Sequence, residues 1–349
     1  MQKKQQEKNL HWADNMRALA TISVVLLHTA AGMLYKYGSI PNHDWNIGNA
    51  YDSIVRFCVP LFLMISGALL LPKEYDIIDF LKKRVSRIIL PFLFWSIFYI
   101  AYDLRESFIG ANQPGVLSII KKSVTLLIQG SSFHFWYVYM IIGVYMFIPI
   151  IGHWVRNCKQ KEILYFLIVW SCTLFFNLPI ISNYKIPIEI SYFTGYIGYV
   201  VLGYYLSMQS YTNIKKIKII AILLIISGIG STFLGTAIAS NHYHKFYDIL
   251  YNYLTLNVMI SAVGVFLLVK NIEVVNPIII KIRDYIGKYS YGIYLSHMLF
   301  IYSLDKIGIS WGLFTPIIGI PISAFLCLSI SSFVVFIVNK LPGGKYISG

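Results

Sequence analysis

Apolar positions in this chain fall into ten long runs, at 14–34, 51–71, 87–104, 134–152, 162–180, 191–208, 217–238, 250–269, 285–304 and 311–338. Each is close to the ~20 residues that a helix needs to cross a bilayer. Short polar stretches separate them, and nothing between them is long enough for a soluble domain. A further segment, 116–129, is apolar but short, and Lys121 and Lys122 interrupt it, which predicts a helix lying in the membrane interface. The predicted fold is all-α: a polytopic membrane helix bundle of about ten transmembrane helices, a single integral-membrane domain over 1–349 with no soluble C-terminal domain. No internal repeat, linker or low-complexity stretch is visible.

Composition supports the bilayer as the surroundings. The chain is 57% hydrophobic and 13% charged, against roughly 25% charged in soluble domains. A net charge of +14 would suggest nucleic acid in a soluble protein. Here, however, 21 of the 29 Lys and Arg lie on one set of alternating connections. The positive-inside rule assigns that set to the cytoplasm. Both termini are therefore expected to be cytoplasmic, and the charge reads as topology, with no nucleic-acid partner. Lys3, Lys4 and Lys8 before the first run resemble a signal peptide, but Arg17 and His28 interrupt the run and no small-x-small cleavage motif follows, so it reads as a retained helix. Cys58, Cys158, Cys172 and Cys327 suggest neither a disulfide framework nor a metal site.

Charged and ionisable groups within a span are costly and mark candidate sites. Arg17 and His28 are eleven residues apart, close to three helical turns, so they share one face with a rise of ~16 Å between them. Asp14, one turn before Arg17, is placed to pair with it. Arg84 and Arg87 share a face at the cytoplasmic start of the third run, and paired guanidinium groups match phosphate geometry, although cytoplasmic anchoring alone accounts for basic residues there. Arg56, with Asp52 one turn earlier, and His297 are placed near the depth of His28; each is equally readable as a satisfied structural group. His134 and Trp136 fall at the outer mouth of the fourth run, where aromatic belts also occur. His242 and His244 lack a third ligand, so no metal is expected. Gly195, Gly198, Gly203, Gly228, Gly230 and Gly235 read as close helix-packing positions. Together the polar groups form a track, cationic at the cytoplasmic end and histidine-bearing inside. Such a track suits an anionic donor with phosphates at one end and a reactive group on a long arm.

These residues resemble the signature of the acyltransferase-3 family of integral membrane acyltransferases. Arg17 and His28 match its R-x10-H motif, and Arg84 and Arg87 its R-x-x-R motif. The segment Ile54–Gly67, the run His134-Phe135-Trp136-Tyr137 and the run ending at His297 are also similar to the family. Ala18 stands where the family often has Gly, a small-for-small change. The start Trp12–Arg17 and the run Val59–Gly67 look closest to members that O-acetylate enterobacterial common antigen. Many members carry a C-terminal periplasmic hydrolase-like domain, which is not expected here.

The resemblance implies a multi-pass protein of the bacterial plasma (inner) membrane. It also implies acetyl-CoA as donor substrate, with no permanently bound cofactor, and a sugar hydroxyl of a surface polysaccharide or its lipid-linked precursor as acceptor. Arg84, Arg87 and Arg17 would hold the donor's phosphates, and His28, supported by Arg17 and Asp14, would do the chemistry as general base or through a covalent acyl-His. Arg56 and His297 are candidates for oxyanion stabilisation, and His134, Trp136 and Glu189 for acceptor contacts. The competing class is a transporter or flippase of glycan intermediates or acyl groups, which commonly shows inverted repeats or broken helices.

Overall fold

The computed structural model describes residues 11–105, 115–178 and 195–349, and within them every regular element is helical. Helix α1 spans His11–Leu34. The second span, Asn42–Leu70, is two helices, α2 (Asn42–Val55) and α3 (Cys58–Leu70), interrupted at Arg56 and Phe57. Pro60 explains the interruption: it has no N–H for the Arg56 carbonyl, the acceptor one turn back. The helix resumes at once, with Leu61 N–H donating to Phe57 O at 2.9 Å. The sequence pattern predicts one helix from 51, with Pro60 near its end. In the structure the span starts nine residues earlier and the break falls inside it.

Helix α4 (Ile77–Leu104) begins a full ten residues before the predicted 87, because Asp76 caps it by accepting from Asp79 N–H at 3.0 Å. Helix α5 (Val116–Gln129) has no buried residue, and Lys122 pairs with Asp103 at the end of α4 at 2.7 Å, as suits a surface-lying element. A short 3₁₀ turn (Phe133–Phe135) leads into α6 (Trp136–Asn157). There follow α7 (Gln160–Phe176), α8 (Ile197–Met208), α9 (Ile214–Tyr243), α10 (Leu256–Lys270), α11 (Pro277–Lys306), α12 (Pro316–Lys340) and the short α13 (Gly344–Ile347).

Among the described residues, seven helical stretches are long and apolar enough to cross a membrane: α1, α2–α3, α4, the Phe133–Asn157 stretch, α9, α10 with its preceding turn, and α12. The other three predicted runs also carry helices. Those of α7 and α8 are shorter, with 17 and 12 residues, and the predicted runs 162–180 and 191–208 extend beyond the described residues. Helix α11 has 30 residues, but its first half carries Lys281, Arg283, Asp284 and Lys288. The chain is a polytopic membrane helix bundle.

Helix α1 is the hub. It packs against α2, α3, α10, α11 and α12, and its small residues Ala13, Ala18, Ala20 and Ala30 are buried on those contacts. Helices α3 and α8 meet backbone to backbone, Gly67 against Val200 and Gly203 against Met64. Gly198 lies on the Trp170 ring, Gly228 on Ser261 and Asn257, and Gly235 on Leu250, as expected for packing positions. Gly230 faces open space, and Gly195 sits in a turn at φ +126°, a backbone conformation that glycine alone adopts readily; these two are not helix-packing residues.

One end of the bundle is basic and cross-tied. Arg156 on α6 donates through Nη1 to Leu71 O (2.9 Å) and Lys73 O (2.7 Å) after α3. Lys270, ending α10, donates to Leu206 O, Ser207 O and Gln209 O at the end of α8, at 2.7–2.8 Å. Arg283 of α11 reaches Asn15 of α1 at 3.2 Å. Arg156 and Lys270 thereby satisfy carbonyls left unpaired at helix C-termini, while Arg283 ties α11 to an Asn15 side chain near the start of α1.

Candidate active site

Of the cavities that α1 borders, two carry its ionisable residues Arg17 and His28. The one at the basic end, about 290 Å³, is lined by Arg17, Lys73, Arg84 and the rings of Tyr137, Tyr291 and Tyr294, among others. The other, about 770 Å³, lies towards the opposite end and is lined by His28, Arg56, Phe133, Trp136, Tyr253 and Trp311, among others. They share no lining residue. The 3.6-residue periodicity that puts Arg17 and His28 on one face of α1 therefore gives each of them a different cavity.

At the basic end, Arg17 donates from Nη1 to Asp14 Oδ1 at 2.9 Å, the pairing expected from the sequence. Asp14 reaches the site only through Arg17, far along α1 from His28. Arg84 lines the cavity, whereas Arg87 is exposed and does not; the structure separates the two arginines that the motif couples. In its place stands Lys73, which the sequence reading did not single out. It lies in the turn after α3 that Arg156 fixes through the Lys73 carbonyl.

At the other end, His28 is half-buried and faces the large cavity, with the edge of Phe133 against it at 5.3 Å between ring centroids. Two further imidazoles stand behind it. His297 lies 5.1 Å from His28 and His134 6.2 Å, with 5.0 Å between those two. Neither lines the cavity, and their exposures are 0% and 1%. Two expectations change accordingly. His134 is not at the mouth: the 3₁₀ turn tucks its ring inward, and Tyr294 donates a hydrogen bond to its carbonyl oxygen. His297, the other, is fully buried behind His28 and does not border the cavity.

Trp136 lines the large cavity. It stacks on Tyr253, with centroids 5.7 Å apart and planes at 24°, and it also borders a neighbouring 370 Å³ cavity. Glu189 lies outside the described residues. Arg56 sits at the break between α2 and α3 and borders both of these cavities. Its guanidinium is paired with the fully buried Asp52, lies over the Tyr251 ring at 4.3 Å and faces Tyr253 at 5.7 Å. The break thus presents a charged side chain to a cavity at membrane depth, with its counter-ion one turn away.

Between the two cavities lies a layer of rings. Tyr294, from the wall of the basic cavity, is 5.5 Å from His134 and 5.9 Å from His297. The arrangement can hold a polyanion at one end of α1 and offer an imidazole to a hydroxyl-bearing ligand at the other.

A family model described as an acyltransferase domain, that of the acyltransferase-3 family, matches residues 10–338. The chain belongs to the acyltransferase-3 family. This match runs through every described helix that contributes to either cavity, so both belong to the acyltransferase domain. Comparison with curated proteins and with solved structures gives no match. As a membrane acyltransferase, the protein requires an acyl donor and an acceptor, and two separate cavities on one helix provide two places for them. The lining residues that sequence reasoning missed include Lys73, Tyr253 and Trp311, a loop lysine and two aromatic residues, types too common at membrane interfaces to stand out by pattern alone, while Tyr137 and Tyr294 fall within family-like runs without being given a site role.

Proposed function

We propose that this acyltransferase moves an acetyl group from acetyl-CoA to a hydroxyl of a sugar in a cell-surface polysaccharide or its lipid-linked precursor, in the bacterial inner membrane. The observation that carries the reading is the pair of cavities strung along α1, one bearing Arg17, Lys73 and Arg84 and the other bearing His28. Three cations around one pocket suit the phosphates of a coenzyme A thioester. By the positive-inside rule we read that pocket as cytoplasmic, the side on which a coenzyme A thioester would be supplied.

The thioester arm passes the Tyr294 layer towards His28. The acceptor occupies the large cavity, whose aromatic walls suit the faces of sugar rings. His28 Nε2 takes the proton from the acceptor hydroxyl as its oxygen attacks the thioester carbonyl. The tetrahedral intermediate then collapses with cleavage of the C–S bond, and the proton on His28 passes to the departing thiolate. Arg56 and Lys36 both line this cavity, and Arg56, fixed at the α2–α3 break, is our candidate for the cation that meets the oxyanion.

A transport reading draws support from the broken α2–α3 span, since broken helices are common in transporters. Against it stands the family model over residues 10–338, which is that of an acyltransferase domain. The test is an NMR spectrum of surface glycan from the native host, a deletion strain, and that strain complemented with wild-type protein or His28→Ala. O-acetyl signals should vanish on deletion, return with wild type, and stay absent with His28→Ala. Signals that survive deletion, or that return in full with His28→Ala, would exclude the proposed chemistry.

A further inference from the structure

Three buried nitrogens in the histidine group are orphaned: His28 Nδ1, His297 Nε2 and His134 Nε2. His28 Nδ1 and His297 Nε2 have no hydrogen-bond partner among the described residues, although their rings are 5.1 Å apart and tilted by 35°. A buried polar group left unpaired is costly, so each such atom requires an explanation. The other ring nitrogen of His297 is committed: Nδ1 lies 2.6 Å from Tyr294 O, a carbonyl that can only accept. That contact places the His297 proton on Nδ1 and leaves Nε2 as a lone pair. His28, in turn, turns Nδ1 into the protein while its ring borders the large cavity.

We infer that His297 is a positioning residue for His28: its Nε2 accepts the His28 Nδ1–H, which holds His28 in the tautomer whose Nε2 is a free base towards the acceptor hydroxyl. The inference rests on the proposed base role of His28 and deepens it.

The chain of contacts is Tyr294 carbonyl, His297, His28, acceptor hydroxyl. It closes by a small approach of the two rings. His134 also packs on His297, at 5.0 Å, and although its Nδ1 has the Ser132 hydroxyl at 3.0 Å its Nε2 is unpartnered too; but its ring does not border the cavity, so a bond from it to His297 orients no base towards the acceptor. When His28 takes the acceptor's proton it becomes a cation, and its bond to His297 becomes charge-assisted and stronger. The contact is worth more in the transition state than in the ground state, so its loss lowers kcat and leaves KM for the donor nearly unchanged.

The experiment uses the full chain in lipid nanodiscs, radiolabelled acetyl-CoA as donor, and washed membranes of the host deletion strain as acceptor source. Four proteins are compared: wild type, His28→Ala, His297→Leu and His297→Gln. Leu fills much of the imidazole's space without an acceptor, and the Gln amide oxygen can take the place of Nε2. His297→Leu should lower kcat about 10²-fold at unchanged donor KM, and His297→Gln should recover at least a tenth of wild-type turnover.

Wild-type turnover in His297→Leu overturns the inference while leaving the His28 chemistry standing, provided that His28→Ala is inactive. Equal losses in the Leu and Gln variants also overturn it, since they indicate a packing role. An active His28→Ala, or a wild-type protein that transfers no label, defeats the base role and this inference with it.

Discussion

In the proposed mechanism the chemistry turns on His28, and its truncation gives the sharpest number. Positioned general bases contribute roughly 10²–10⁴-fold, so His28→Ala should lose that much transfer activity in a labelled-acetyl assay. The basic end makes a finer prediction. Arg84 and Lys73 line the smaller cavity and Arg87 does not. A hydrogen bond to a charged group is worth about 1.5–3 kcal/mol, hence Arg84→Ala and Lys73→Ala should each raise the donor KM by about tenfold or more. Arg87→Ala should raise it far less, and equal effects for Arg84 and Arg87 in saturation curves would refute that assignment. Helical periodicity alone was enough to put Arg17 and His28 on one face and to pair Arg17 with Asp14. It could not choose between Arg84 and Arg87, because an i,i+3 spacing says only that two residues are neighbours. The burial of His134 depends on Tyr294, 160 residues away in sequence, and a local pattern carries no trace of it.

At the scale of elements, the interruption between α2 and α3 is where local sequence and tertiary need meet. Pro60 opens the helix, and the charge placed there is balanced by Asp52, whose side chain is wholly buried. Removing one partner of a buried pair strands the other, at a cost of about 3–5 kcal/mol. Asp52→Ala should therefore lower the melting temperature in detergent sharply, and Asp52→Ala/Arg56→Met should recover part of the loss; a double variant no more stable than the single would show that the pair does not act as a unit. The α3–α8 contact makes a separate prediction. A side chain at Gly67 would meet the Val200 backbone, which cannot give way as a flexible side chain can. Gly67→Leu should cost at least the ~1–3 kcal/mol typical of overpacking, read as a lower melting temperature, while Gly230→Leu, which faces open space, should change it little. Proline and glycine were both visible in the sequence. Which glycines carry close contacts was not, because that depends on the facing helix.

For the whole molecule, the all-helical bundle was legible from hydropathy, since a bilayer leaves few other ways to satisfy a backbone. The lengths of individual spans were less so: caps such as Asp76 and polar first turns lengthen helices beyond their apolar cores. The charge asymmetry predicts which end faces the cytoplasm. A Lys159→Cys variant should resist a membrane-impermeant thiol reagent in intact spheroplasts, and Lys245→Cys should react; the reverse pattern would invert the topology and place the donor pocket on the wrong side. The separation of the two cavities also has a kinetic meaning. Ligands that share no wall do not exclude one another, so neither substrate has to leave before the other arrives. Direct transfer then gives double-reciprocal plots that intersect, with a non-reactive coenzyme A analogue competing against the donor but not against the sugar. Parallel lines would mean that the acetyl group rests on the protein between two half-reactions.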